Sequence, residues 1–189
     1  MKKLFIVSTI ILASALTFEA YAQSFMIKDK SGIGPKIGYY KAVDAGEGTM
    51  FIGAQTRMRG KFIGFELTAE YRGEQKYTAT GGDFTVKQVP VTASLMTFIP
   101  VTSNFNPYAL AGLGAYYTFY DYDGGFINPG DDSEVKVGYH LGFGADLPLH
   151  VAAAALNIDY RYLFLQGNDD LADKEFSGNV ISAGLTFYF

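Results

Sequence analysis

Eight stretches of this chain alternate apolar and polar residues with a period of two. That periodicity gives an extended strand two unlike faces, and it does not fit the roughly 3.6-residue repeat of an amphipathic helix. The last stretch, Asn179 to Phe189, sets Ile181, Ala183, Leu185, Phe187 and Phe189 against Val180, Ser182, Gly184, Thr186 and Tyr188. Ala154 to Leu165 sets Leu156, Ile158, Tyr160, Tyr162 and Phe164 against Asn157, Asp159 and Arg161. Lys136 to Leu147 gives Val137, Tyr139, Leu141, Phe143 and Ala145 against glycines, His140 and Asp146. Phe62 to Arg72, Gln88 to Thr97, Thr49 to Met58, Tyr108 to Phe119 and Gly34 to Lys41 complete the set.

The connections alternate as well. Arg59-Gly60-Lys61, Pro100 to Pro107 and Pro148 to Ala152 read as short links. Glu74 to Asp83, Tyr120 to Ser133 and Gln166 to Ser177 read as long loops rich in Gly, Asn and Asp; Asp44 to Glu47 is a short link on the long-loop side. Short turns at one end and loops at the other describe an up-and-down meander of hairpins. A chain of 189 residues has material for one such domain.

Residues 1–22 read as an export signal. Lys2 and Lys3 precede an apolar stretch from Leu4 to Thr17, and Ala20-Tyr21-Ala22 supplies a small-x-small cleavage pattern. The expected mature domain is 23–189. With no Cys in the chain there are no disulfides, thiolate metal sites or cysteine nucleophiles. A net charge of −4 argues against a nucleic-acid partner, which draws on a basic stripe.

Two barrels fit eight alternating strands. A soluble one turns its apolar face inward around a ligand; a membrane one turns that face toward lipid and its polar face toward a lumen. The polar set carries Lys36, Arg57, Glu66, Glu70, Arg72, Lys136, His140, Asp146, Asp159 and Arg161, interleaved with Gly and other small residues. A face in water has little need of glycine, whereas eight strands leave a lumen just wide enough for side chains. Tyr71, Tyr117, Phe119, Tyr139, Phe143, Tyr160, Tyr162, Phe164, Phe187 and Phe189 fall on the apolar face, as expected for aromatic girdles at a membrane interface. The sequence therefore predicts an all-β, eight-stranded antiparallel up-and-down transmembrane β-barrel. Pro90 breaks a local rule, since it removes a ladder donor inside a strand; a bulge or a missing bond is expected there.

From Gly32 to Phe189 the chain resembles the small outer-membrane β-barrel domain proteins of the OmpA/OmpX-like type. The resemblance rests on Gly34-Pro35-Lys36-Ile37-Gly38-Tyr39, Val89-Pro90-Val91, Pro107-Tyr108, Gly138 to Asp146, Asp159-Tyr160-Arg161-Tyr162 and the terminal Phe187-Tyr188-Phe189. It implies an outer-membrane location, contact with outer-membrane lipid and lipopolysaccharide, and a monomer. It also implies that Phe189 is part of the signal read by the outer-membrane barrel assembly machinery.

Three readings of the chemistry follow. The near balance of lumen charges favours mutual pairing into a plug, because an unpaired charge in a low-dielectric interior is costly. The first reading is thus a non-enzymatic barrel presenting its loops, with no cofactor. The second is a narrow pore for ions or small solutes. The third, suggested by lipid-modifying members among outer-membrane barrels, would need a Ser–His pair; Ser182 and His140 both face inward but lie on strands separated by a third. Glu66 and Glu70, about 13 Å apart on one strand, are too distant for a catalytic dyad. His140 and His150 are not expected to meet, which leaves no metal site. Asp121-Tyr122-Asp123-Gly124 with Asp131, Asp132 and Glu134 lacks the ligand pattern of a Ca²⁺ loop and reads as a solvated acidic loop, as do Asp169, Asp170, Asp173 and Glu175.

Overall fold

The computed structural model describes residues 30–79, 82–99, 105–122, 133–149, 153–165 and 176–189. It is built from β1 (Ser31–Ala42), β2 (Thr49–Arg59), β3 (Ile63–Ala79), β4 (Gly82–Phe98), β5 (Asn106–Tyr122), β6 (Ser133–Leu149), β7 (Ala154–Leu165) and β8 (Gly178–Tyr188). Each strand pairs antiparallel with its sequence neighbours, and β8 pairs with β1, closing the barrel. Closure leaves no edge strand whose donors and acceptors would lack partners.

The predicted faces hold throughout. Ile33, Ile37, Ile52, Leu67, Leu95, Leu113, Leu141, Ile158 and Ile181 are exposed on the outer wall, while the charged set is turned inward. On the outer wall of β6 and β7 the aromatic rings touch. Tyr139 stacks on Phe164 with centroids 4.6 Å apart, and Phe143 lies 5.5 Å from Tyr160. The Tyr160 hydroxyl, set among apolar neighbours, donates to Asn179 Oδ1 at 2.5 Å.

Register fixes the shape. Directly paired residues run Ser31, Met58, Phe65, Leu95, Ala111, Leu141, Tyr162, Asn179 and back to Lys41. One circuit thus returns ten residues further along β1, a stagger that tilts the strands by roughly 40–45° from the barrel axis. Close packing among inward side chains explains some of the inward glycines. A Cβ at Gly112 would sit 2.6 Å from His140 Nε2, and one at Gly184 would sit 2.4 Å from Gln55 Nε2.

Several strand ends differ from the sequence reading. β3 and β4 remain paired from Gln75↔Val86 to Ala79↔Gly82, so most of Glu74 to Asp83 is hairpin and not loop. β5 continues to Tyr122 and β6 begins at Ser133, shortening the expected Tyr120 to Ser133 loop. Pro107 and Pro148 lie within strands, paired with Ala145 and Ala155. These segments alternate poorly or are polar on both faces, because strand pairing there is not constrained by a lipid-facing side. The result is uneven: β3, β4, β5 and β6 have 17 residues each, against 12, 11, 12 and 11 for β1, β2, β7 and β8.

The expectation at Pro90 is met. The β3–β4 ladder runs from Ile63↔Thr97 to Ala69↔Val91, is interrupted opposite Pro90, and resumes at Arg72↔Gln88. The bulge lies just beyond, on the partner strand, between Arg72 and Gln75. Pro35 has the same effect at the closing seam, where the β1–β8 ladder skips from Ile33↔Phe187 to Lys36↔Gly184. At that gap the backbones crowd together, and a Cβ on Gly34 would lie 1.6 Å from the Leu185 carbonyl oxygen.

Candidate functional site: the charged lumen

Alternate residues of all eight strands converge on the lumen, and all ten charged or titratable residues singled out from the sequence are buried there. Six of them form one network, Glu70 and Arg72 form a pair, Lys136 pairs with Glu134, and His140 bonds Ser94. Glu66, on β3, is the hub. Its Oε2 accepts from Arg57 Nε at 2.7 Å and lies 2.5 Å from Arg57 Nη2. Its Oε1 accepts from Arg161 Nη2 at 2.6 Å and lies 3.6 Å from Lys36 Nζ. Asp159 accepts from Arg161 Nε at 2.5 Å and from Ser182 Oγ at 3.0 Å. Asp146 accepts from Arg57 Nη1 at 2.8 Å, Arg59 Nη1 at 3.3 Å and Asn157 Nδ2 at 3.1 Å. The Tyr108 hydroxyl accepts from Arg57 and donates to Asp159 at 3.4 Å. Each buried carboxylate thus meets two or more donors, the condition under which buried charge is tolerated.

Nearer the loop end, Arg72 pairs with Glu70 at 3.0 Å and lies over the rings of Tyr40 at 4.2 Å, Tyr116 at 5.6 Å and Phe51 at 5.7 Å. Lys136 lies 3.4 Å from Glu134 Oε2 and 4.4 Å from the centre of the Phe176 ring. Phe176 is itself held by its carbonyl, which accepts from the Tyr40 hydroxyl, and is buried. Glu66 and Glu70, though neighbours on one face of β3, therefore belong to different clusters.

His140 bonds Ser94 Oγ through Nε2 at 2.9 Å, whereas Ser182 serves Asp159. The Ser94–His140 pair is enclosed in the barrel. Beside it a cavity of about 10 Å³ is lined by Glu70, Arg72, Thr92, Tyr116, His140 and Arg161, space for about one water. His150, the 1–22 segment and the acidic residues Asp123, Asp131, Asp132, Asp169, Asp170, Asp173 and Glu175 lie outside the described residues.

Sequence reasoning did not identify three parts of the lumen. Arg59 was placed in a turn but ends β2, reaches Asp146 and stacks on Phe98 at 4.6 Å. Glu134 was placed in a loop but partners Lys136. Apolar clusters also close the lumen at both ends: Met96, Phe98, Tyr108 and Leu110 near the turns, and Tyr40, Phe51, Tyr116, Leu163, Leu165 and Phe176 near the loops. The signal was present in parity: extending the inward register of β2 and β4 to their ends selects Phe51, Arg59, Met96 and Phe98.

Solved structures with this architecture include Neisserial surface protein A, at 18% identity and a TM-score of 0.62, covering 84% of this chain and 97% of that one. OprH from Pseudomonas aeruginosa is 19% identical with a TM-score of 0.54, covering 85% and 100%. Ail of Yersinia pestis is 15% identical with a TM-score of 0.54, covering 86% and 100%. At these identities the likeness is one of fold. No curated protein matches the chain. The family described as outer membrane protein beta-barrel domain matches residues 8–189, and with its closed eight-stranded wall, apolar outside and charged within, the chain belongs to that family of the outer membrane.

Proposed function

We propose that this protein is a non-enzymatic outer-membrane barrel whose plugged lumen serves as a rigid core and whose loops are the working surface, for envelope integrity or surface interaction. The observation that carries this reading is the filled axis: interlocked ion pairs at Glu66, Asp146 and Asp159, apolar closures at both ends, and beside His140 a cavity sized for about one water. An ion crossing such a lumen would have to displace paired charges from a low-dielectric interior, which costs several kcal/mol per ion. Enclosure of the Ser94–His140 pair among wall residues likewise supports a structural role for it, since a lipid substrate would need a path to the hydroxyl.

On this reading residues 1–22 are removed after export, Phe189 forms part of the signal to the barrel assembly machinery, and the folded protein is a monomer in contact with lipid and lipopolysaccharide. On the same reading the acidic loops meet the phosphate-rich surface through bridging divalent cations. The test is planar-bilayer recording on the refolded barrel: no steady single-channel steps are expected. Reproducible steps that change when Glu66→Gln or Arg161→Gln is introduced would replace this reading with the pore.

A further inference from the structure

The two ends of the lumen are built differently. At the turn end, outside the Met96–Phe98–Tyr108–Leu110 closure, there is an open cavity of about 530 Å³. Its lining carries three cations, Lys30, Arg59 and Lys61, an apolar group of Pro148, Leu149 and Ala153 to Ala155, and the polar side chains of Asn106 and Tyr188. Arg59 is held in place by its bond to Asp146 and by the Phe98 ring beneath it, and still has guanidinium donors to offer. Lys61 lies 5.3 Å from the ring of its neighbour Phe62, and neither Lys30 nor Lys61 pairs with a carboxylate among the described residues.

We propose that this cup binds a phosphate headgroup carrying a short apolar arm, the headgroup against Lys30, Arg59 and Lys61 and the arm against Pro148, Leu149 and Ala153 to Ala155. Three cations converging on one concavity suit a group with several anionic oxygens, and Arg in particular presents a fork matched to phosphate. Beside the polar side chains of Asn106 and Tyr188, the lining includes a run of small apolar groups at Pro148, Leu149, Ala153, Ala154 and Ala155, so an apolar extension has a surface to cover. The closed floor makes the cup a terminus and not the entrance to a pore. The site is independent of the role assigned to the loops.

The test uses the whole refolded barrel in maltoside micelles, which supply no phosphate of their own. Amide shifts of Gly60, Lys61, Asn106 and Ala153 are followed during titration with dihexanoyl phosphatidylglycerol, and separately with inorganic phosphate. Saturable shifts with the lipid, weaker binding of inorganic phosphate, and an affinity loss of about tenfold in the Lys30→Gln/Lys61→Gln double variant are expected. Equal affinity for inorganic phosphate would overturn the apolar half of the proposal. Shifts that do not saturate, or that ignore the double variant, would overturn it entirely. Because both lysines are at the surface, unchanged heat-modifiable migration of the double variant verifies that the barrel itself is intact.

Discussion

The lumen stabilises charge in two ways. Around Glu66 the partners of each ion are other ions: Arg57, Arg161 and Lys36 converge on one carboxylate, and Arg161 and Arg57 carry the link onward to Asp159 and Asp146. Nearer the loops, Arg72 has a single carboxylate partner, Glu70, and its remaining surroundings are the rings of Tyr40, Tyr116 and Phe51. The first arrangement is connected and fails as a unit. The second is local, and the aromatic faces supply part of what counter-ions supply elsewhere.

The sharpest way to break this contrast is Glu66→Gln, which leaves three cations gathered around a neutral amide. A loss of about 3–5 kcal/mol in urea unfolding from micelles is expected, as for other buried ions stripped of a partner. A smaller loss, about 2 kcal/mol, is expected for Tyr40→Leu, which removes the nearest ring from Arg72 and the hydroxyl bond to Phe176. Smallest of all is the double change Glu70→Leu with Arg72→Met. Removing both members of a local pair should alter stability by less than about 1 kcal/mol, since an apolar replacement also avoids the desolvation cost. If this double change proved as damaging as Glu66→Gln, the two regions would be one network and the contrast would fail.

Much of this architecture is legible in the sequence because period two survives wherever one face meets lipid and the other a crowded interior. Ile181 and Ser182, or Ile158 and Asp159, are assigned to their sides by that rule alone. What parity cannot supply is partner choice. Arg57 of β2 finds Asp146 of β6, and Arg161 of β7 finds Glu66 of β3, only because the wall closes with its particular stagger. Strand ends were obscured for a related reason: beyond Arg72 the β3–β4 hairpin no longer separates an oily face from a polar one, so its sequence resembles loop although it stays paired. Arg59 and Glu134 were misplaced at such ends. Pro90 was readable because a missing donor is a property of the residue itself.

The unequal strand lengths have a consequence for anything that approaches the loop-side mouth. At the opposite end β2, β4 and β6 pass into β3, β5 and β7, and β1 pairs with β8, so the surplus of β3 to β6 emerges on the loop side. Five or six additional residues correspond to about 15–20 Å of extra wall measured along a strand. Among the described residues one flank of the strand wall therefore stands as a parapet, and the wall of the other, formed by β7, β8, β1 and β2, is lower. A bulky visitor travelling across the membrane plane would meet paired backbone on the first flank at a height where the described strands of the second have already ended.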